Sequence, residues 1–166
     1  MAQRFPSQQW HDGEATLKDN TVISGKLMYD LLRDAIQIQI GDRVETYSSQ
    51  LVFKFSFVQK DDGVLRRFFT LPYGGDSGYK AVPKFFEVII EGRMTLLARE
   101  YIAQVTTSTG GARFNRYRNH PLASSTPGTV TRNFLSHKMY FLDHEGKITE
   151  STGRKKDLFF VLNEKT

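Results

Sequence analysis

The sequence predicts a mainly β fold: an antiparallel meander forming a sandwich or barrel-like sheet, with a short C-terminal helix. Three observations carry this expectation. Thirteen Phe and seven Tyr against one Trp and five Pro give an aromatic share of 13%, a supply that suits pleated, half-buried surfaces. Apolar and polar residues alternate with period two along several runs. Short clusters of Gly, Asn and Asp separate those runs as turns do.

The chain of 166 residues has the size of one domain, and a domain of about 150 residues buries roughly 70% of the surface its unfolded chain exposes. We therefore expect residues 1–166 to form a single β-rich domain around one core, with a long basic loop over about 107–136.

Taken in order, residues 13–29 read as a hairpin around Lys18-Asp19-Asn20, with Gly25 interrupting its second strand. Residues 34–40 set Ile36, Ile38 and Ile40 on one face and Gln37 and Gln39 on the other. Gly41-Asp42 is then a two-residue turn that supplies positive φ, and residues 43–47 return as the partner strand. The strongest alternation lies in residues 51–58, which puts Leu51, Phe53, Phe55 and Phe57 on a core face and Lys54 and Ser56 opposite. After the turn Lys60-Asp61-Asp62-Gly63, residues 64–71 set Leu65, Phe69 and Leu71 against Arg66, Phe68 and Thr70. Connections this short predict that neighbours in sequence are neighbours in the sheet.

Periodicity leaves residues 85–92 open between strand and helical turn, and the β-branched Val88, Ile89 and Ile90 favour strand. One long strand over 93–105 follows a turn at Gly92-Arg93. Residues 107–136 contain Gly110-Gly111 and Ser124-Ser125-Thr126-Pro127-Gly128 with few aliphatics, the composition of a long loop. Residues 138–142 and 147–149 form a last hairpin around His144-Glu145-Gly146. A short helix is expected over 154–162, where Leu158, Val161 and Leu162 have helical spacing and Ser151 or Thr152 supplies a cap.

Several chemistries are excluded at once. The chain has no cysteine, which removes disulfides, thiolate metal sites and a cysteine nucleophile. No apolar run approaches the ~20 residues a membrane-spanning helix needs. No nucleophile elbow, phosphate-binding loop, dinucleotide fingerprint or calcium loop occurs, so no catalytic residue, metal site or cofactor is expected. His11, His120, His137 and His144 lack the close spacing of metal ligands and are expected in exposed turns and loops. Glu87 and Glu91 are placed to share a face, and a carboxylate pair is what glycoside hydrolysis requires. Solvent-facing charge is the expectation for both.

The net charge of +5 is concentrated in one place: residues 93–138 carry seven basic side chains against the single acid Glu100. Within that stretch Arg113-Phe114-Asn115-Arg116-Tyr117-Arg118 interleaves guanidinium groups with rings. Arginine supplies salt-sensitive attraction to phosphates or sulfates, and aromatic rings supply stacking. Arg113, Phe114, Arg116, Tyr117 and Arg118 are therefore the candidate ligand-binding residues, with a polyanion, a single-stranded nucleic acid or another envelope protein as partner.

The motifs Trp10-His11-Asp12-Gly13, Leu17-Lys18-Asp19-Asn20-Thr21, Gly25-Lys26-Leu27-Met28-Tyr29, the run from Tyr47 to Phe57, Phe85-Phe86-Glu87-Val88 and Glu91-Gly92-Arg93-Met94-Thr95-Leu96-Leu97 occur in that order. In this outline the chain resembles a group of uncharacterised exported proteins of Bacteroidetes-type bacteria, over roughly residues 10–101. Asn20 stands where that outline has Gly or Asp, and the basic loop has no counterpart in it. The resemblance implies export to the periplasm or cell envelope and sequence continuing past Thr166, and it implies no catalytic residue. Ala2-Gln3 also has the character of the junction left when a secretory signal is removed. The expected function is a non-catalytic periplasmic or envelope module that binds a partner or provides structure. The alternatives are a polyanion or single-stranded nucleic-acid binder using the basic loop, and a glycan-active enzyme using Glu87 and Glu91.

Overall fold

A computed structural model describes residues 8–74, 80–108 and 129–152. They form ten strands: β1 (His11–Leu17), β2 (Val22–Asp30), β3 (Ala35–Ile40), β4 (Arg43–Ser48), β5 (Val52–Val58), β6 (Leu65–Tyr73), β7 (Val82–Ile90), β8 (Thr95–Ser108), β9 (Thr129–Leu142) and β10 (Ile148–Glu150). All belong to one antiparallel sheet in the order β10-β9-β8-β7-β6-β5-β1-β2-β3-β4, which does not close on itself.

The meander is interrupted once. β5 pairs with β1, not with β4, so here neighbours in sequence are not neighbours in the sheet. Only Ser49, Gln50 and Leu51 join β4 to β5. That connection spans at most about 15 Å at 3.8 Å per Cα step. Five flat strands would hold β4 and β5 about 19 Å apart, four interstrand spacings of about 4.8 Å. The short connection therefore forces strands β5-β1-β2-β3-β4 to curl. Gly13 and Gly25, directly opposite each other on β1 and β2, give the curl room. A Cβ on Gly13 would lie 2.5 Å from the Ser56 carbonyl oxygen, and one on Gly25 would collide with the Gln39 carbonyl.

The curl encloses the first core, in which Ala15, Leu27, Tyr29, Ile36, Ile38, Val52, Phe55, Phe57, Phe68 and Phe85 are all buried. Tyr29 on β2 meets Phe85 on β7 edge to face at 5.7 Å, although β1, β5 and β6 lie between those strands in the sheet. A second core sits on the opposite face: Phe86, Leu97 and Tyr140, with Leu71, Tyr73, Val88, Leu142 and Ile148 packed around them. Tyr140 on β9 meets Tyr73 on β6 at 5.4 Å, so the β8–β10 end curls the other way. The single core expected from chain length is thus two cores on opposite faces of β6 and β7.

Two register shifts move side chains off their expected faces. Thr16 pairs with Lys54 while Leu17 pairs with Val52, which leaves Phe53 as an extra residue. A bulge of this kind reverses the alternation on one side of it. Val52 is consequently buried, while Leu51 is 56% and Phe53 48% exposed, so the core face read for residues 51–58 holds only from Phe55 onward. The second shift lies between Val88 and Ile90, where β7 meets β8.

Residues 102–136 make a compact unit of their own, distinct from the unit of residues 1–101 and 137–166. The described part of the smaller unit is a two-stranded ribbon from the outer halves of β8 and β9, with Thr106 Oγ1 and Thr131 Oγ1 3.2 Å apart. Its residues are mostly exposed and none belongs to either core. Residues 129–136, expected as loop, are therefore strand. A ribbon wetted on both sides needs no apolar alternation, and Thr129, Val130 and Thr131 supply only β-branching. The helix expected over 154–162 lies outside the described residues. No helix among the described residues is long and apolar enough to cross a membrane.

Candidate functional site

A cluster of ionisable groups stands at the rim of the first core. Alternation along β6 puts Arg66 on the same face as Phe68, opposite Phe57 on β5. Glu87 faces Phe68 from β7, Ala98 faces Glu87 from β8, and Glu100 follows two residues on. Arg66 Nε donates to Glu87 Oε1 at 2.6 Å and Nη2 to Glu100 Oε1 at 2.7 Å; Nη2 also donates to Glu87 Oε2. The guanidinium lies 5.7 Å from the centre of the Phe57 ring and 5.3 Å from that of Phe68. All three charged residues are buried. His137 Nε2 approaches Glu100 Oε1 from β9 at 3.4 Å. Burial pushes the Arg66 pKa down, but the bond from Glu87 and the charge of Glu100 outweigh it and hold the guanidinium more firmly protonated than usual.

Chemically this cluster is occupied with itself. Both Glu87 oxygens are bonded to Arg66, and only Glu100 Oε2 is buried without a hydrogen-bond partner among the described residues on the carboxylate side. Glu91, the second member of the expected carboxylate pair, is taken instead by Arg67 at 3.1 Å. Arg66 and Arg67 are consecutive in β6 and point to opposite faces. The register shift after Val88 accounts for the separation, because Glu87 and Glu91 would share a face only along an unbroken strand. The two carboxylates therefore do not flank a common cleft.

A second cluster closes the seam of the first curl. Asp34, in the turn between β2 and β3, is buried and has a left-handed backbone with φ 52°. Its carboxylate accepts from the Tyr29 hydroxyl at 2.9 Å and from the Phe85 amide at 3.4 Å. Arg99 and Lys84 stand 3.4 and 3.7 Å away. Ser49 adds a bond from its hydroxyl to the Pro83 carbonyl at 2.8 Å. In this way Asp34 and Ser49 satisfy backbone groups on β7 through side chains, without a ladder between strands. Burial, and then the Asp34 charge, push the Tyr29 hydroxyl well above the ordinary tyrosine range.

Neither cluster was marked by a sequence motif. Arg66 carried a signal all the same: it shares a period-two face with Phe68, which on a buried face requires a counter-charge. His11, expected in an exposed turn, is 1% exposed, stacks on Phe57 at 4.7 Å, and accepts at Nδ1 from the Lys60 amide at 3.4 Å. The small Gly13 and Ala15 on the same face of β1 are what make room for it. His137 and His144 are exposed, and His120 lies outside the described residues. So do the candidate ligand-binding residues Arg113, Phe114, Arg116, Tyr117 and Arg118, which fall between β8 and β9. Among the described residues no group of three His, Asp or Glu could hold a metal ion. Compared with protein-family models, curated proteins and solved structures, the chain matches none.

Proposed function

We propose that this protein is a non-catalytic module of the periplasm or cell envelope that binds another macromolecule, with residues 102–136, the β8–β9 arm, as its binding element. The charge pattern of the arm carries this reading. No acidic residue occurs between Glu100 and Asp143, whereas Arg113, Arg116, Arg118, Arg132 and Lys138 all fall there. Among the described residues, 102–108 and 129–136 of this acid-free stretch take no share in either core, which fits a partner better than folding. The buried charges of the larger unit support a structural role there, since Arg66 and Glu87 are engaged with each other and Asp34 with Tyr29 and the Phe85 amide. Envelope localisation rests on the family resemblance. Osmotic-shock fractionation of cells expressing the tagged full-length protein tests it, and retention in the cytoplasm would remove it.

A second reading, a polyanion or single-stranded nucleic-acid binder, is favoured by the interleaving of arginines with Phe114 and Tyr117. One experiment addresses both readings. Binding to labelled single-stranded nucleic acid and to a sulfated polysaccharide is measured at low and high salt, for the native protein and for Arg113→Ala/Arg116→Ala/Arg118→Ala. Salt-sensitive binding that the triple variant loses makes the polyanion the partner. No binding at low salt leaves a protein partner as the reading.

A further inference from the structure

A shallow groove of about 280 Å³ lies on the outer face of β1, β5 and β6, on the side of the sheet away from the first core. Strand register makes its floor a grid. Glu14, Ser56 and Arg67 stand opposite one another in one cross-strand row, and Thr16, Lys54 and Phe69 in the next. The displaced Phe53 forms part of the same surface, 48% exposed and edge-on to Phe69 at 6.1 Å.

Two properties of this grid bear on what it can bind. Glu14 and Lys54 are diagonal neighbours of opposite sign, yet they form no ion pair, and among the described residues the Thr16 and Ser56 hydroxyls have no hydrogen-bond partner. Nearby charges behave differently: Asp12 pairs with Lys26, and Arg67 with Glu91. The groove is also electrically balanced, since Glu14 offsets Lys54 and Glu91 offsets Arg67. A polyanion gains nothing from such a surface, whereas a neutral ligand rich in hydroxyls could use its free donors and acceptors.

We propose that this groove binds a neutral oligosaccharide. Glu14 accepts hydrogen bonds from sugar hydroxyls, and Lys54 donates to hydroxyl or ring oxygens, with Thr16 and Ser56 able to do either. The Phe69 ring packs against the C–H face of one sugar. The volume stands just below the range of pockets that enclose whole small ligands, which suits one sugar ring seated in the groove with its neighbours running past in solvent. The site is independent of the β8–β9 arm and stands whether or not the arm binds a polyanion.

The test is a two-dimensional amide NMR titration of the full chain with cellohexaose, maltohexaose and chitohexaose, with dextran sulfate and an acidic peptide as comparisons. At least one hexasaccharide is expected to shift amides of residues 14–16, 54–56 and 67–69 saturably. Glu14→Gln and Lys54→Met, both at exposed positions, are expected to weaken that binding about tenfold each, the loss of one hydrogen bond to a charged group, with unchanged melting temperatures. The proposal is overturned if no hexasaccharide shifts these amides, if the shifts map elsewhere, if dextran sulfate or the peptide binds there more tightly, or if both variants bind as the native protein does.

Discussion

Phe85 and Phe86 are consecutive residues of β7, both fully buried, and they belong to different cores. Phe85 packs on Tyr29 and Phe55; Phe86 packs on Tyr73 and Tyr140. β7 is thus a wall shared by two curls of one sheet that turn in opposite senses. A strand covered on both faces loses the polar half of its alternation, which is why Phe85-Phe86 open a run that reads ambiguously between strand and helix, although Ile89 and Ile90 at its end are exposed.

Each phenylalanine should therefore be indispensable to its own core. Phe85→Ala and Phe86→Ala are each expected to cost about 3–5 kcal/mol, the usual range for truncating a buried ring, measured by urea denaturation. The spectroscopic consequences should differ: Phe86→Ala perturbs the side-chain resonances of Tyr73 and Tyr140, and Phe85→Ala those of Tyr29. A cost below about 1 kcal/mol for Phe86→Ala, as for an exposed site, would mean that the second core does not hold the β8–β10 end in place.

Arg66 holds two buried carboxylates, and removing it alone should do more harm than removing the whole cluster. Arg66→Ala leaves Glu87 and Glu100 buried without a counter-charge and is expected to destabilise by about 3–5 kcal/mol. Arg66→Met combined with Glu87→Leu and Glu100→Leu is expected to be near neutral or stabilising, because apolar groups of similar volume carry no desolvation cost. Equilibrium unfolding of the two variants decides the matter. A triple variant less stable than Arg66→Ala would show that the cluster contributes more than it costs.

The strands were legible because alternation and turn chemistry are local. Gly41 adopts φ 59° and Asn20 φ 69° where the turns were expected, and Ile36 and Ile38 are buried on the predicted face. What the sequence could not convey was how faces combine. Period two says that Phe68 and Phe69 point apart, but it does not say that both sides are covered at β7 and only one at β5. The bulge at Phe53 was illegible for a related reason: Leu51, Phe53, Phe55 and Phe57 alternate without a break, and only the pairing of Leu17 with Val52 reveals the extra residue. For the candidate sites, motifs reported only the basic arm. Apart from the Tyr29–Asp34 bond, five positions apart, the ion pairs of the Arg66 and Asp34 clusters join residues 21 to 65 positions apart, beyond any local pattern.

The bulge yields a sharp test at two adjacent positions. Val52 is fully buried and Phe53 is about half exposed, so Val52→Ala should cost about 2 kcal/mol as a core truncation, and Phe53→Ser less than about 1 kcal/mol as a surface change. Unbroken alternation over residues 51–58 predicts the reverse order. Urea unfolding midpoints of the two single variants distinguish the registers.

Tyr29 sets a limit on stability at alkaline pH. Its hydroxyl is buried and donates to Asp34 at 2.9 Å, and burial together with the Asp34 charge raises its pKa well above the ordinary value. Tyr140 is raised in the same sense, by burial first and by Tyr73 second. A group whose folded pKa exceeds its unfolded one contributes fully below the unfolded value and loses that contribution as pH rises toward the folded one. Above about pH 10 the unfolded chain releases these protons and the folded chain does not, so each such tyrosine should lower stability by about 1.4 kcal/mol per pH unit. Unfolding free energies between pH 9 and 12 should fall accordingly, and Tyr29→Phe should make the fall shallower while costing stability at pH 7 through the lost bond to Asp34. An identical slope in Tyr29→Phe would show that Tyr29 ionises in the folded protein.

The arm should be dispensable for folding. Every buried core residue among those described lies between Ala15 and Ala98, apart from Tyr140. The Thr106–Thr131 contact places these residues across the ribbon from each other, so residues 104 and 133 are close enough to be rejoined. Excising residues 105–132 and closing the gap with an Asn-Gly turn is expected to leave the melting temperature within a few degrees of the native value, because the ribbon contributes exposed backbone pairing and no core. The same excision should abolish any salt-sensitive polyanion binding and leave binding of neutral oligosaccharide at Glu14 and Lys54 intact. A shortened protein that fails to fold would assign the ribbon a structural role, because β8 and β9 would then need their outer halves to hold Leu97 and Tyr140 in the second core.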